Sequence, residues 1–201
     1  MTATGRRPDC HTAVVDHLVL QSFVHVAMRT YELCTPSRPL SCFAVLVGEI
    51  TEEVALIREI VPGRSVRATD PAVATEFRSG VVPRFGTAYE NEHRGFWADP
   101  RELLRIHREA DERGWDIIGS IHMHPDWHRI GPLGERGLRL SQEPTPMDVY
   151  MFANTRWPVN MICYLERSGH GFQYAVAAWA PPSAPDATTC PDMDFRFWSA
   201  S

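Results

Sequence analysis

The segment Trp115-Asp116-Ile117-Ile118-Gly119-Ser120-Ile121-His122-Met123-His124-Pro125 leaves the chain little choice of local structure. Its apolar run predicts a strand over 115–124, and Pro125, which cannot continue a central strand, closes it. In an extended chain residues i and i+2 point to the same face. His122 and His124 therefore present two imidazoles together at the strand's exit, where one metal ion can take both. Taken alone, the pair also fits two hydrogen-bonded surface rings among the 9 histidines of the chain. The metal reading gains its weight from a third residue further along the chain.

A catalytic zinc commonly takes three protein ligands and keeps one position for water. Downstream, Glu143-Pro144-Thr145-Pro146-Met147-Asp148 sets out a helix start, with Thr145 as N-cap, Pro146 as the first helical residue and Asp148 at N3. Asp148 then projects from a rigid first turn as a third ligand. An acidic residue at that position is also an ordinary complement to a helix N-terminus.

The rest of the chain predicts one domain around this segment. Ala13–Leu20 reads as an opening strand, and Leu20, Phe23, Val24, Ala27, Tyr31 and Cys34 recur at the spacing of a core-facing helix. Thr35-Pro36-Ser37-Arg38-Pro39 breaks it, and strands over 41–49 and 54–61 form a hairpin. The interval 62–92 is poorly patterned and predicts a loop with one or two short strands that covers the site. A strand over 94–98 precedes a helix capped by Asp99, with Pro100 at N1 and Glu102 at N3, that runs to about Arg113. After the Asp148 helix come strands over 158–165 and 171–180, joined at Ser168-Gly169. The tail is rich in proline yet ends Phe195-Arg196-Phe197-Trp198, a sequence suited to docking on the domain or on a partner. This order predicts an α/β (α+β) domain with a mixed sheet.

With 201 residues and 44% hydrophobic composition, such a chain buries a full core without disulfides. The 5 cysteines form no Cys-x-x-Cys pair, and their odd number argues for reduced thiols. Residues 1–7 hold no apolar leader core, and no membrane-length apolar run occurs, which predicts a cytoplasmic protein that does not enter a membrane. The net charge is −5 and every basic residue is arginine, without a basic block, so nucleic-acid binding has no support.

The motif Gly119-x-x-His122-x-His124-Pro125, followed by Thr145-x-x-Asp148, resembles the metal-binding signature of the JAMM/MPN (JAB domain) zinc metalloproteases: His-Ser-His-Pro, a spacer, then Ser-x-x-Asp. Upstream, Pro39-Leu40-Ser41-Cys42-Phe43-Ala44-Val45-Leu46-Val47-Gly48 resembles a strand of that family. The likeness in order and spacing spans 13–180, between an N-terminal extension (1–12) and a Pro-rich C-terminal tail (181–201). The resemblance implies a curved mixed β-sheet flanked by helices. It also implies Zn2+, or another divalent transition metal, on His122, His124 and Asp148. The activity it implies is a hydrolase that cleaves amide or isopeptide bonds with a metal-activated water, Thr145 orienting that water or stabilising the oxyanion. Its implied partner is the tail of a ubiquitin-like or sulfur-carrier protein, or a small-molecule substrate. With no lysine of its own, the chain offers no acceptor for such a tail.

Three departures from the family pattern bear on the chemistry. Ser41 stands where active members carry the glutamate that serves as general acid and base, and serine has no pKa near neutrality. Glu49 does not replace it, since eight strand residues span about 26 Å. Thr145 keeps the hydroxyl of the family serine. The spacer 126–144 is longer than the family's, which brings Asp126, His128, Glu135 and Glu143 toward the site. Of these, Asp126, His128 and Glu143, together with Glu90 and Glu92, are the candidates for the missing proton shuttle. The chain thus supports two readings: a zinc hydrolase, or a metal-binding domain that has lost peptidase chemistry and serves a small-molecule reaction or a scaffold.

Overall fold

The computed structural model describes residues 10–126, 143–169, 171–184 and 186–198. Its centre is a seven-stranded mixed sheet in the order β6-β5-β4-β2-β3-β1-β7. The strands are β1 (Thr12–Asp16), β2 (Phe43–Thr51), β3 (Val54–Pro62), β4 (Asp116–Pro125), β5 (Val159–Ser168), β6 (Gly171–Trp179) and β7 (Asp194–Trp198). The hairpin β2–β3 and the pairs β2–β4 and β5–β6 are antiparallel. The pairs β4–β5, β1–β3 and β1–β7 are parallel. The mixed α/β class predicted from the sequence is the class observed.

Helix α1 (His17–Glu32) lies on one face of this sheet and buries Leu20, Phe23, Val24, Ala27 and Tyr31. They pack with Ala44, Leu46, Ile121, Met123, Met161, Cys163 and Leu165 into the main core. Burying a leucine or phenylalanine fully contributes about 1.5–3 kcal/mol. The strand predicted over 13–20 is shorter than expected. Asp16 turns the chain into the helix because its carboxylate accepts hydrogen bonds from the backbone N–H of Leu18 and Val19 at 2.7 and 3.3 Å. Cys34 lies beyond the helix end.

The opposite face carries two helices. In α4 (Pro100–Asp111), Ile106 and Ala110 bury against Val45 and Val47. In α5 (Pro146–Thr155), Phe152 packs on Ile162, Tyr164 and Trp179. Period-two alternation thus sends Ile121 and Met123 to α1 and the intervening His122 and His124 to the other side.

The interval 62–92 departs from expectation. Instead of short strands it holds α2 (Pro71–Glu76), a π-helical turn (Phe77–Val81), α3 (Val82–Phe85) and a 3-10 turn (Thr87–Glu90). Asp70 caps α2 through the N–H groups of Ala72 and Val73, with Pro71 at the first helical position. This is the same start signal that marks α4 and α5. The predicted strand over 94–98 reduces to an isolated bridge between Ser65 and Ala98. Residues 194–198, read as tail in the sequence, form β7 and pair with β1 from Thr12↔Asp194 to Asp16↔Trp198.

Two glycines set the approach of the central strands. A Cβ on Gly119 would lie 1.9 Å from the carbonyl oxygen of Val159, and one on Gly48 would lie 2.0 Å from that of Leu56. Both positions require hydrogen at the α-carbon because another strand's backbone fills the space. Gly48 also borders a register shift between β2 and β3.

Candidate metal centre

Strand β4 delivers His122 and His124 to the mouth of a cleft, and the first turn of α5 delivers Asp148 to the same point. His122 Nε2 lies 3.0 Å from His124 Nε2 and 3.1 Å from Asp148 Oδ1. His124 Nε2 lies 3.4 Å from Asp148 Oδ2. All three residues are buried. A tetrahedron with metal–nitrogen bonds of 2.0–2.1 Å has edges of about 3.3 Å, so these spacings match the footprint of one ion. The donor set fits as well. Two imidazole nitrogens and a carboxylate bring lone pairs into one point, where a divalent cation satisfies all three together.

Electrostatics favour the ligand-ready forms. Burial holds the His122 pKa below its ordinary value, against the pull of Asp148, and so keeps the ring neutral. Burial opposes the Asp148 charge, yet the imidazoles of His124 and His122 outweigh it and hold the carboxyl well below the usual range. A neutral imidazole and an ionised carboxylate are the states that bind metal.

The carboxylate is held by its own helix. Thr145 donates to Asp148 Oδ2 from its backbone N–H at 2.7 Å and from its hydroxyl at 2.6 Å, and Asp148 N–H donates back to Thr145 Oγ1 at 3.3 Å. This capping box fixes the rotamer of the third ligand. The Thr145 proton is engaged by Asp148, so the hydroxyl acts on the site by way of the carboxylate it holds.

The cleft has an empty volume of ≈ 650 Å³ including its open mouth, and Ser41, Phe96, Arg94, Met147 and Met151 line it together with the three ligands. Ser41 comes there by register. Phe43 of β2 pairs with His122, and Met123 N–H donates to the Cys42 carbonyl at 2.8 Å. Ser41, two residues before Phe43, then lines the same cleft as His124. Beside it, burial pushes the Cys42 thiol up to about 11, which makes it a protonated wall residue.

Of the candidate proton shuttles, those among the described residues fall elsewhere. Asp126 is buried and turns toward the α1 side, where Tyr31 donates to its Oδ1 and the Arg167 N–H to its Oδ2. Its position one residue past the proline breaks the alternation that holds for His122 and His124. Glu90, Glu92 and Glu143 are exposed, and among the described residues none of the three lines the cleft. Glu49 pairs with Arg58 at 2.7 Å in the β2–β3 hairpin. His128 and Glu135 lie outside the described residues.

Other residues of the site were not marked by sequence reasoning. Phe96 stacks on Phe43 with centroids 4.3 Å apart and sets its ring 5.4 Å from that of His122. The buried Arg94 brings a cation to the cleft wall, its guanidinium 4.6 Å from the Tyr89 ring centroid. Tyr164 of β5 stands across from His124 in the parallel β4–β5 ladder, its ring perpendicular to the imidazole with centroids 5.5 Å apart. No periodicity or local motif signals these three, because each reaches the site through tertiary packing.

No family model matches the chain, and no curated protein matches it in sequence. Among solved structures, the chain is similar to protein DSY2949 from Desulfitobacterium hafniense, at 10% identity and a TM-score of 0.50, over 94% of each chain. It is also similar to a protein from Salinibacter ruber at 18% identity and a TM-score of 0.49, over 92% of this chain and 91% of that one. At such identities the first of these likenesses speaks to the fold alone.

Proposed function

We propose that the protein is a metal-dependent hydrolase of JAMM/MPN type, with His122, His124 and Asp148 as the ligands of Zn2+ or a similar divalent ion. The observation that carries this reading is the triangle of ligand atoms, with edges of 3.0, 3.1 and 3.4 Å, at the head of an open cleft. Held by His122, His124 and Asp148, such an ion would supply Lewis acidity, lowering the pKa of a water toward neutrality and polarising a substrate carbonyl. The chain's own residues do the rest. Thr145 holds the Asp148 carboxylate in place, and the apolar walls of Phe96, Met147 and Met151 restrict water around the reacting bond. The substrate carries an amide or isopeptide bond, as at the tail of a ubiquitin-like or sulfur-carrier protein. All five cysteines are free, in keeping with work in the reducing cytoplasm.

Ser41 favours a second reading. It lines the cleft at the position where the resemblance places a glutamate, and it brings a small hydroxyl there instead of a proton-transferring carboxylate. On this reading the metal centre is kept and peptidase chemistry is lost, leaving space beside the ion for a small substrate or for a scaffolding role.

Metal content after purification tests the shared premise. The wild type carries about one divalent ion per chain and His124→Ala carries none; equal and negligible content in both overturns the metal centre. Ser41→Glu separates the two readings. Cleavage of ubiquitin-like fusions by the wild type supports the hydrolase, whereas cleavage only after Ser41→Glu supports the loss of peptidase chemistry.

A further inference from the structure

Among the described residues, three buried side-chain atoms at the metal centre lack a hydrogen-bond partner: His122 Nδ1, His124 Nδ1 and Tyr164 Oη. Buried polar groups left in this state are destabilising, so a cluster of them needs an explanation. Tyr164 is 7% exposed and sits in an otherwise apolar cluster with Phe152, Ile162 and Trp179. A phenylalanine would fill that space without the penalty.

The arrangement acquires a purpose once His124 binds metal through Nε2. The proton of the neutral ring is then fixed on Nδ1, which becomes a buried donor in need of an acceptor. His124 and Tyr164 are direct neighbours in the β4–β5 ladder, on one face of the sheet, with perpendicular rings in contact. We infer that Tyr164 is a positioning residue for the metal centre, its Oη accepting the Nδ1 proton of His124 through one bridging water. This inference rests on the proposed metal centre and goes beyond it by assigning the group that orients one of the ligands. Burial, with Asp148 and Glu143 adding to it, raises the Tyr164 pKa far above its ordinary value, so the group stays a neutral phenol. Among the described residues His122 has no tyrosine beside it, the neighbouring rings being those of Phe96, Phe152 and His124 itself. The two imidazoles are therefore unequal ligands, with His124 the better oriented.

Tyr164→Phe tests the assignment, because it removes one oxygen and keeps the ring. Competition against a chelator of known affinity should show zinc binding weakened about 10- to 100-fold, the range for loss of an outer-sphere partner. The metal-free variant should melt no lower than the metal-free wild type, since the substitution removes an orphaned hydroxyl from an apolar cluster. A purely structural tyrosine would give the reverse pattern, with a lower melting temperature and unchanged affinity. In the zinc-loaded wild type the His124 Nδ1 proton should be visible by NMR in slow exchange, and the variant should lose that protection. Zinc affinity within twofold of wild type overturns the assignment and leaves the metal centre standing. Absence of zinc binding by the wild type overturns both.

Discussion

The two faces of β4 and β5 are made from alternating residues of the same strands, yet they do opposite things. Toward α1 the strands present Ile121, Met123, Met161, Cys163 and Leu165, all apolar and all but closed to solvent. Toward α5 they present His122, His124 and Tyr164 together with Ile162, and among the described residues each of the first three has a buried polar atom without a hydrogen-bond partner. One face is apolar throughout, and the other sets polar side chains among its apolar ones. A shift of register by one residue would exchange the two roles, so the pattern that places the core also places the ligands.

Substitutions on the two faces should therefore separate stability from metal binding. The largest effect belongs to the α1 side. Ile121→Ala removes a fully buried side chain and should cost about 4 kcal/mol in denaturant unfolding, while zinc stoichiometry of the folded fraction stays at one. If the variant loses zinc while still folded, the two faces are coupled rather than separable. Thr145→Ala on the other side should cost about 1 kcal/mol through loss of the cap. It should also weaken zinc, because the hydroxyl that holds Asp148 Oδ2 is gone, and titration against a chelator reads that loss. Unchanged affinity would mean that the backbone N–H bond suffices to orient the carboxylate.

The smallest effect is one of pH. Burial depresses the His122 pKa below its ordinary 6.5, so the unfolded chain takes up a proton there before the folded one does. This contribution is intact above pH about 6.5 and is lost as pH falls from there through the folded-state pKa. Thermal melts of the metal-free protein should decline over that window, and His122→Ala should flatten the decline. A decline of the same size in both proteins would assign it to other groups.

Much of this contrast was legible in the sequence. The His-x-His spacing in a strand and the Thr-Pro start of α5 contain enough geometry to predict three converging ligands. The start of α1 was hidden because Asp16 interrupts an apolar run only once, and a single capping carboxylate decides where strand becomes helix. Helices in 62–92 carry the same Asp-Pro signal at Asp70-Pro71, obscured by the irregular composition around it. Tyr164 had no signal at all. Its place beside His124 comes from the parallel register of β4 and β5, and such pairing is written in no local pattern.

The place of β7 bears on the order in which the molecule is built. Thr12 pairs with Asp194, so that edge of the sheet joins distant parts of the chain. The proposed metal ligands belong to β4 and α5, and β4 is flanked by β2 and β5, all of which precede β7 in the chain. During synthesis the ligand-bearing strands leave the ribosome first, and the docking of β7 waits for the longest loop to close. The residues of the proposed metal centre therefore all emerge before the strand that forms the far edge of the sheet.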